Sequence, residues 1–522
     1  MSRLPSLAQC WSPGSGVSGL LGHAAQVSPS APYLEDRSGT TYSYAEAWDE
    51  ALRLAGFLQE RGVRRGDRVA IHLSNRAEIA IALYATAHIG AIYVVLNSRL
   101  RPKGLSKILK QAEPKAILLD ETTRENFVEK DSVPICVFLS EENPEPEWIS
   151  WSDAISGEPI EVSWPGFDVD PACLVFTSGS TGDPRGVTLS HDNICYAVGA
   201  IQDRLGYRTD DVVGCFLPLA FDYGLYQIFL AAQSGAKLFI GDPDQVGPRL
   251  PMIMKAAGIS VLPGVPSVYA ALITLFRRRP FEIPTMRAIT NTGERLPLSY
   301  IEELRNMFEG LDVFVMYGLT ECKRVSIMLP SEFSKHSDSV GRALSGTEVY
   351  AVDTDGKRLP PGEVGELAVR GRHVAHGYWR AEEETAKRFR KQAPEAAVEL
   401  FTGDSGSVDA EGFIHFSARS DDLLKHRGNR ISPVEIENEA CTIDGVIEAS
   451  VLKRDRDDTL HLFATVSKEE LTTESILRSL GETLEPAKVP EFVAILEEMP
   501  KSMNGKIDRK VLAKVLSADE NE

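Results

Sequence analysis

A chain of 522 residues, 43% hydrophobic and 25% charged, can bury more than one core, so at least two domains are expected. A formal net charge of -19 argues against nucleic acid or an anionic membrane as the main partner; an anionic ligand must be held by local basic groups and backbone dipoles. Seven scattered cysteines, never spaced Cys-x-x-Cys, favour a reducing, cytoplasmic setting with neither a disulfide framework nor a zinc site.

The first residues, MSRLPSLAQCWSPGSG, lack the apolar run of a signal peptide. Leu52, Leu54, Ala55 and Leu58 recur at helical spacing and predict a helix over 45–60 that Gly62 stops. Residues 68–73 read as a strand and 75–88 as a helix. Residues 79–96 carry no charge and reach nominal membrane-spanning length, but Gly90 divides an Ala-rich half from a β-branched half. The reading is a buried helix followed by a core strand, with no membrane span. Alternation of helix and strand to about residue 170 predicts a parallel sheet layered by helices. The acidic, Pro-broken stretch at 141–147 reads as a surface loop.

A second α/β unit, about 171–340, opens with LVFTSGSTGDPRGVTLSH at 174–191. There an apolar strand gives way to Gly179, Gly182 and Gly186, whose backbone N–H groups can approach an anion closely. Thr177, Ser178, Ser180 and Thr181 add hydroxyl donors, and Arg185 adds a permanent positive charge. A plain flexible connector is the alternative for such a loop taken alone. No Gly-Lys-Ser/Thr comes after the glycines, so this is not a Walker-type loop. Ser190 is placed to cap a helix over 193–205. Strand ends occur at 237–240, 261–266 and 286–292, the last running into Gly293-Glu294-Arg295; a strand over 312–316 opens into Tyr317-Gly318-Leu319-Thr320-Glu321. From 341 to 420 short strands separated by turn signals predict a β-rich, barrel-like subdomain, and 421–522 suffices for a small α+β lid domain.

The 174–191 loop resembles the phosphate loop of the adenylate-forming superfamily: acyl-CoA synthetases, adenylation domains of nonribosomal peptide synthesis, and luciferases. Further motifs occur in the superfamily's order across nearly the whole chain. YGLTE at 317–321 is similar to the motif that implies Tyr317 against adenine, Thr320 at the α-phosphate and Glu321 on Mg²⁺. Gly293-Glu294 resembles the loop lining the adenine site, and Asp404 in FTGD resembles the ribose-binding residue. The stretch at 419–437 looks like the hinge, implying Arg419 near the nucleotide and Asp421 at the pivot; Ala418 stands where the family usually has Gly. Lys506, in PKSMNGKIDRK, matches the late catalytic lysine that would bridge the substrate carboxylate and the α-phosphate. Arg185 replaces the family's usual Lys with charge preserved.

The same resemblance points to Asp222, Tyr223, Tyr226, Met316, Arg324 and Val325 as substrate-pocket residues. In peptide-synthesis adenylation domains a Phe-Asp pair here meets the substrate's amino group; alternatively Asp222 caps the helix beyond it. Tyr223 and Tyr226 would narrow the cavity toward a small or medium amino acid. Arg324 either binds a second carboxylate or faces solvent, with the solvent-facing reading ahead. Together these motifs imply an ATP- and Mg²⁺-dependent enzyme, free-standing, that adenylates an amino acid and hands it to the phosphopantetheine of a separate carrier protein. The alternatives are an acyl- or aryl-CoA ligase using free coenzyme A and a catalytically silent nucleotide-binding relative.

Overall fold

The computed structural model describes residues 16–129, 132–140, 145–160, 166–178, 184–391, 396–419, 424–426, 429–454, 456–468, 470–502 and 505–518. Two sheets layered by helices dominate. One has seven strands in the order Ile149–Ser150, Ile135–Phe138, Ala116–Leu119, Arg68–His72, Ile92–Val95, Pro171–Ser178, Pro184–Ser190. All its pairings are parallel except the last. Its inner strands Ile92–Val95, Ala116–Leu119 and Ile135–Phe138 are buried throughout, as apolar strands covered on both faces must be. The uncharged stretch 79–96 resolves into the wholly buried helix Glu78–His88 and that first strand, divided at Gly90, whose φ of 71° lies in the left-handed region.

The second sheet has nine strands: Arg342–Ala343, Ser326–Met328, Asp312–Tyr317, Ala288–Asn291, Val261–Gly264, Val212–Cys215, Lys237–Ile240, Pro32–Asp36, Thr41–Ser43. It therefore takes two strands from the chain's beginning, while Pro171–Ser178 and Pro184–Ser190 complete the seven-stranded sheet. The expected division near residue 170 does not separate the two sheets.

Helix starts differ from the sequence reading where a side chain decides them. Ser43 and Glu46 form a reciprocal cap that starts the first long helix at Tyr44. Ser190 and Asn193 do the same for His191–Leu205, two residues earlier than expected. Asn75, read as helical, lies outside Glu78–His88 because its side chain is engaged elsewhere. Its Nδ2 donates to Leu217 O (2.8 Å) and Gly241 O (2.9 Å), and its Oδ1 accepts from Leu219 N (3.1 Å).

Residues 348–419 form a five-stranded antiparallel sheet, in which Ile414–Arg419 pairs with Glu399–Val408. Beyond it, a hairpin, the sheet of Val446–Arg454, Thr459–Val466 and Phe492–Leu496, and helices Pro433–Ala440 and Thr473–Thr483 enclose a core of their own around Ile436, Val451, Leu462, Ile476 and Leu480, while the helix Arg509–Ala518 packs Leu512 and Leu516 against Phe463 and Met499. Among the described residues no helix is long and apolar enough to cross a membrane.

Candidate active site

The parallel strands of the nine-stranded sheet end along one edge, where loops are free to carry chemistry. Asp312–Tyr317 ends on Tyr317, Ala288–Asn291 runs into Gly293, and Val261–Gly264 runs into the helix Pro266–Arg278. A cavity of about 360 Å³ opens there, with Gly293, Glu294, Met316, Tyr317, Asp404 and Lys506 in its wall. Residues from well-separated regions of the sequence thus meet at one place.

Tyr317 donates its hydroxyl to Asp404 Oδ2 at 2.6 Å, joining the YGLTE and FTGD motifs. Burial, with the Asp404 carboxylate beside it, pushes the Tyr317 phenol well above its ordinary value, so it stays a donor. Gly318 fits its turn only without a side chain: a Cβ there would lie 1.8 Å from Lys323 O. Glu321 is 9% exposed; its Oε1 accepts from the Tyr378 hydroxyl at 2.7 Å and lies 3.7 Å from Arg388 Nη1. The Arg185 guanidinium lies 5.8 Å from the centroid of the Tyr378 ring and pairs with Glu384 at 3.1 Å. One guanidinium therefore stands near the carboxylate and a second over the tyrosine that bonds it, a setting suited to a ligand with several negative charges. Thr320 is half-buried beside Glu321, and Thr177 pairs with Arg185 across the antiparallel strands Pro171–Ser178 and Pro184–Ser190. Gly179, Ser180, Thr181, Gly182 and Asp421 lie outside the described residues, as do the side chains of Ser178 and Arg419.

Lys506 reaches another wall of the cavity. Its Nζ lies 5.7 Å from the centre of the Phe221 ring, and its Cε comes within 3.1 Å of where a side chain on Gly293 would begin. Burial raises the neighbouring Glu294 carboxyl, an effect that Lys506 and Lys501 oppose.

Next to Phe221 the pocket residues pack in a way that corrects the sequence reading. Asp222 is the first residue of the helix Asp222–Ser234 but makes no capping bond; Phe221 holds the cap position. Its partner is instead Lys323, whose Nζ lies 3.8 Å from Asp222 Oδ2, with both side chains buried. Lys323 has a φ of 63°, uncommon for a residue with a side chain, and its N–H bonds Leu319 O at 2.6 Å. Its Nζ reaches no hydrogen-bond acceptor among the described residues, and the Tyr226 hydroxyl is likewise unmatched; the amine lies 5.4 Å from the Tyr226 ring centre. Burial pulls the Lys323 ammonium below its ordinary range, and Asp222 works against that fall.

Arg324 does not face solvent. It is 5% exposed, stacks 4.7 Å from the Tyr223 ring centre and donates to Lys323 O at 3.1 Å. Tyr223 is committed to the framework, its hydroxyl bonding the Thr290 carbonyl and hydroxyl. Met316 lines the cavity, whereas Val325 is fully buried. Sequence reasoning missed Lys323, Tyr378 and Arg388; Lys323 adjoins a recognised motif, but nothing local marks the pairing with Asp222.

Residues 21–379 match the AMP-binding enzyme family, and the chain belongs to that family. Delta-poly-L-ornithine synthetase of Acinetobacter baumannii (strain AB307-0294) is 30% identical over 504 residues, covering 94% of this chain and 36% of that protein. The chain spans less than half the length of the curated relatives it matches. The structure of VinN in complex with L-aspartate is 34% identical, covering 77% of this chain and 98% of VinN, with a TM-score of 0.68. The anthranilate CoA ligase AuaEII, in complex with anthranoyl-AMP, shares the fold over 99% of this chain and all of that one, with a TM-score of 0.88 at 23% identity.

Proposed function

We propose that the chain activates an amino acid bearing a second carboxylate, using MgATP, and passes the acyl group to the phosphopantetheine thiol of a separate carrier protein. One observation carries this reading: Asp222, Lys323 and Arg324 are gathered in one buried cluster, with the Lys323 amine and Tyr226 hydroxyl lacking hydrogen-bond partners among the described residues. Buried polar groups left unmatched cost stability unless a ligand satisfies them. A carboxylate suits a substrate ammonium, and two adjacent cations suit a carboxylate that is not reacting. The 34% identity to VinN, whose complex holds L-aspartate, supports the same substrate class.

In the first half-reaction a carboxylate oxygen attacks the α-phosphorus of ATP; the bond to the bridging oxygen breaks and pyrophosphate leaves. Lys506 stabilises charge between carboxylate and α-phosphate, Tyr317 and Asp404 hold the nucleoside, and Arg185 and Arg388 flank the polyphosphate. Glu321, a buried carboxylate beside the guanidinium of Arg388, would hold a Mg²⁺ carried in on the phosphates; no group of three His, Cys, Asp or Glu side chains placed to hold a metal occurs among the described residues. When bound, such an ion would supply charge neutralisation on the phosphates. In the second half-reaction a thiolate attacks the acyl carbon, the C–O bond breaks and AMP leaves. For that step the lid would turn about Asp421 and withdraw Lys506.

ATP–pyrophosphate exchange across α-amino, β-amino, dicarboxylic, fatty and aromatic acids tests the reading without knowledge of the acceptor. Exchange with acidic amino acids, lost in Asp222→Ala, is expected; exchange only with acids lacking an amino group would overturn it. A thiolation assay offering carrier protein or free coenzyme A then decides the acceptor.

A further inference from the structure

The reach of Lys506 depends on a contact made by a different part of the chain. Within the lid, its loop is held by Ser502 N donating to Lys506 O (2.7 Å), by Arg509 gripping both oxygens of Glu437 (2.8 and 2.9 Å), and by the Lys501–Glu448 pair. Those bonds shape the loop but do not place it against the large domain. Ser267, the second residue of the helix Pro266–Arg278, donates its hydroxyl to Gly505 O at 2.9 Å. Gly505 has a φ of 79°, and a side chain there would begin 3.4 Å from Val265 Cγ2, so Gly505 itself lies against the start of that helix. Lys506 Cε in turn passes close to Gly293, which also has positive φ, 92°.

The remaining seam is built in the same way. Ser299 donates to Cys441 O at 3.2 Å, Tyr300 donates to Ile447 O, and Arg277 Nη1 donates to Ser467 Oγ at 3.1 Å. Three hydroxyls on two helices of the large domain thus hold three main-chain carbonyls of the lid. Single neutral hydrogen bonds of this kind fix position while remaining weak enough to exchange. Ser267 differs from the others in gripping the residue next to Lys506.

We propose that Ser267 is a positioning residue for the adenylation half-reaction: by holding the Gly505 carbonyl it sets where the Lys506 ammonium arrives, and it lets go when the lid turns for thiol transfer. This rests on the proposed function and adds a residue to it. An ammonium that must meet two oxygens at once tolerates little displacement.

Ser267→Ala is expected to lower kcat for ATP–pyrophosphate exchange with L-aspartate about tenfold while the KM for ATP stays within about twofold. Thiol transfer from chemically supplied aspartyl-adenylate is expected to be unchanged, and Ser267→Thr, which keeps the hydroxyl, to recover exchange. Equal loss of both half-reactions, a change confined to KM, or no recovery with Thr would overturn the proposal. A second measurement needs no acid: hydrogen–deuterium exchange with MgATP alone, reading the peptide over residues 500–508. Faster exchange there in Ser267→Ala, with the Leu298–Met307 helix unchanged, is the expected result; identical protection would overturn the proposal. Wild-type enzyme silent with every amino acid would sink the functional reading instead, leaving this second measurement to judge Ser267.

Discussion

Asp222 and Lys323 face each other at 3.8 Å with both side chains buried, so Asp222 is the counter-charge of a buried ammonium. Asp222→Asn is expected to abolish amino-acid activation and also to cost on the order of 3 to 5 kcal/mol, because a buried ammonium loses its counter-charge. Denaturant midpoints check the second effect and pyrophosphate exchange the first. The double variant Asp222→Asn/Lys323→Met separates them: stability is expected to recover while exchange does not, and recovery of both would make the pair a structural feature only. Lys506 should behave differently. It stands at the wall of a cavity beside Gly293, so Lys506→Ala is expected to lower kcat for adenylation by roughly 10² to 10³ with little effect on ATP binding. Equal losses in kcat and ATP affinity would contradict that role. Motif residues such as Tyr317, Asp404 and Lys506 were legible in the sequence because each sits in a distinctive local string. The Asp222–Lys323 pair was not, since only folding brings those segments together, and Arg324 looked like a surface charge because its neighbours along the chain say nothing of the Tyr223 ring beneath it.

At the scale of elements, the turn after Asp312–Tyr317 decides whether the site forms. It reverses the chain tightly enough that a Cβ on Gly318 would meet Lys323 O at 1.8 Å, and backbone cannot yield as a flexible side chain would. Gly318→Ala is therefore expected to open the turn, displace Lys323 and Tyr317 together, and remove exchange with every acid. Exchange retained near the wild-type level would show that the turn relaxes at no cost to the site. Elements that one stretch determines were legible: the uncharged run at 79–96 became a buried helix and strand because Gly90 breaks it, and Ser190 caps its helix as its hydroxyl and spacing suggest. Asn75 marks the limit. Its side chain satisfies backbone groups at Leu217, Leu219 and Gly241, and that long-range demand, invisible locally, shortens the helix behind it.

For the whole molecule, four histidines record how thoroughly the two sheets and their helices exclude water. Burial depresses His72, His88 and His373 to about 4 and His191 to about 3. An unfolded histidine titrates near 6.5, so below that pH the unfolded chain binds protons that the folded chain refuses. Their contribution is complete above about pH 6.5 and is lost as pH falls toward 4. Glu50, raised to about 7 by burial and by Glu78, acts with the opposite sign, losing stability as pH rises toward 7, and the buried Glu294 and Glu437 carboxyls, also raised, act in the same sense, so together they offset part of what the histidines contribute. Thermal unfolding is expected to show a lower Tm at about pH 5 than at about pH 7; an equal or higher Tm at the lower pH would contradict this assignment. Fold class was legible from alternating helix and strand patterns. The assignment of strands to sheets was not, because Pro32–Asp36 pairs with Lys237–Ile240 across most of the large domain, and nothing in either strand names the other.

If the Asp222–Lys323–Arg324 cluster reads both an amino group and a second carboxylate, as proposed, it must discriminate against acids that lack either one. The sharpest test is kcat/KM for ATP–pyrophosphate exchange with L-aspartate, β-alanine and succinate, three acids that differ by the presence of those two groups. L-aspartate is expected to exceed each of the others by about 100-fold or more, since each leaves a buried polar group of the site unmatched. Equal activity with β-alanine would remove the role assigned to Lys323 and Arg324, and equal activity with succinate would remove that of Asp222.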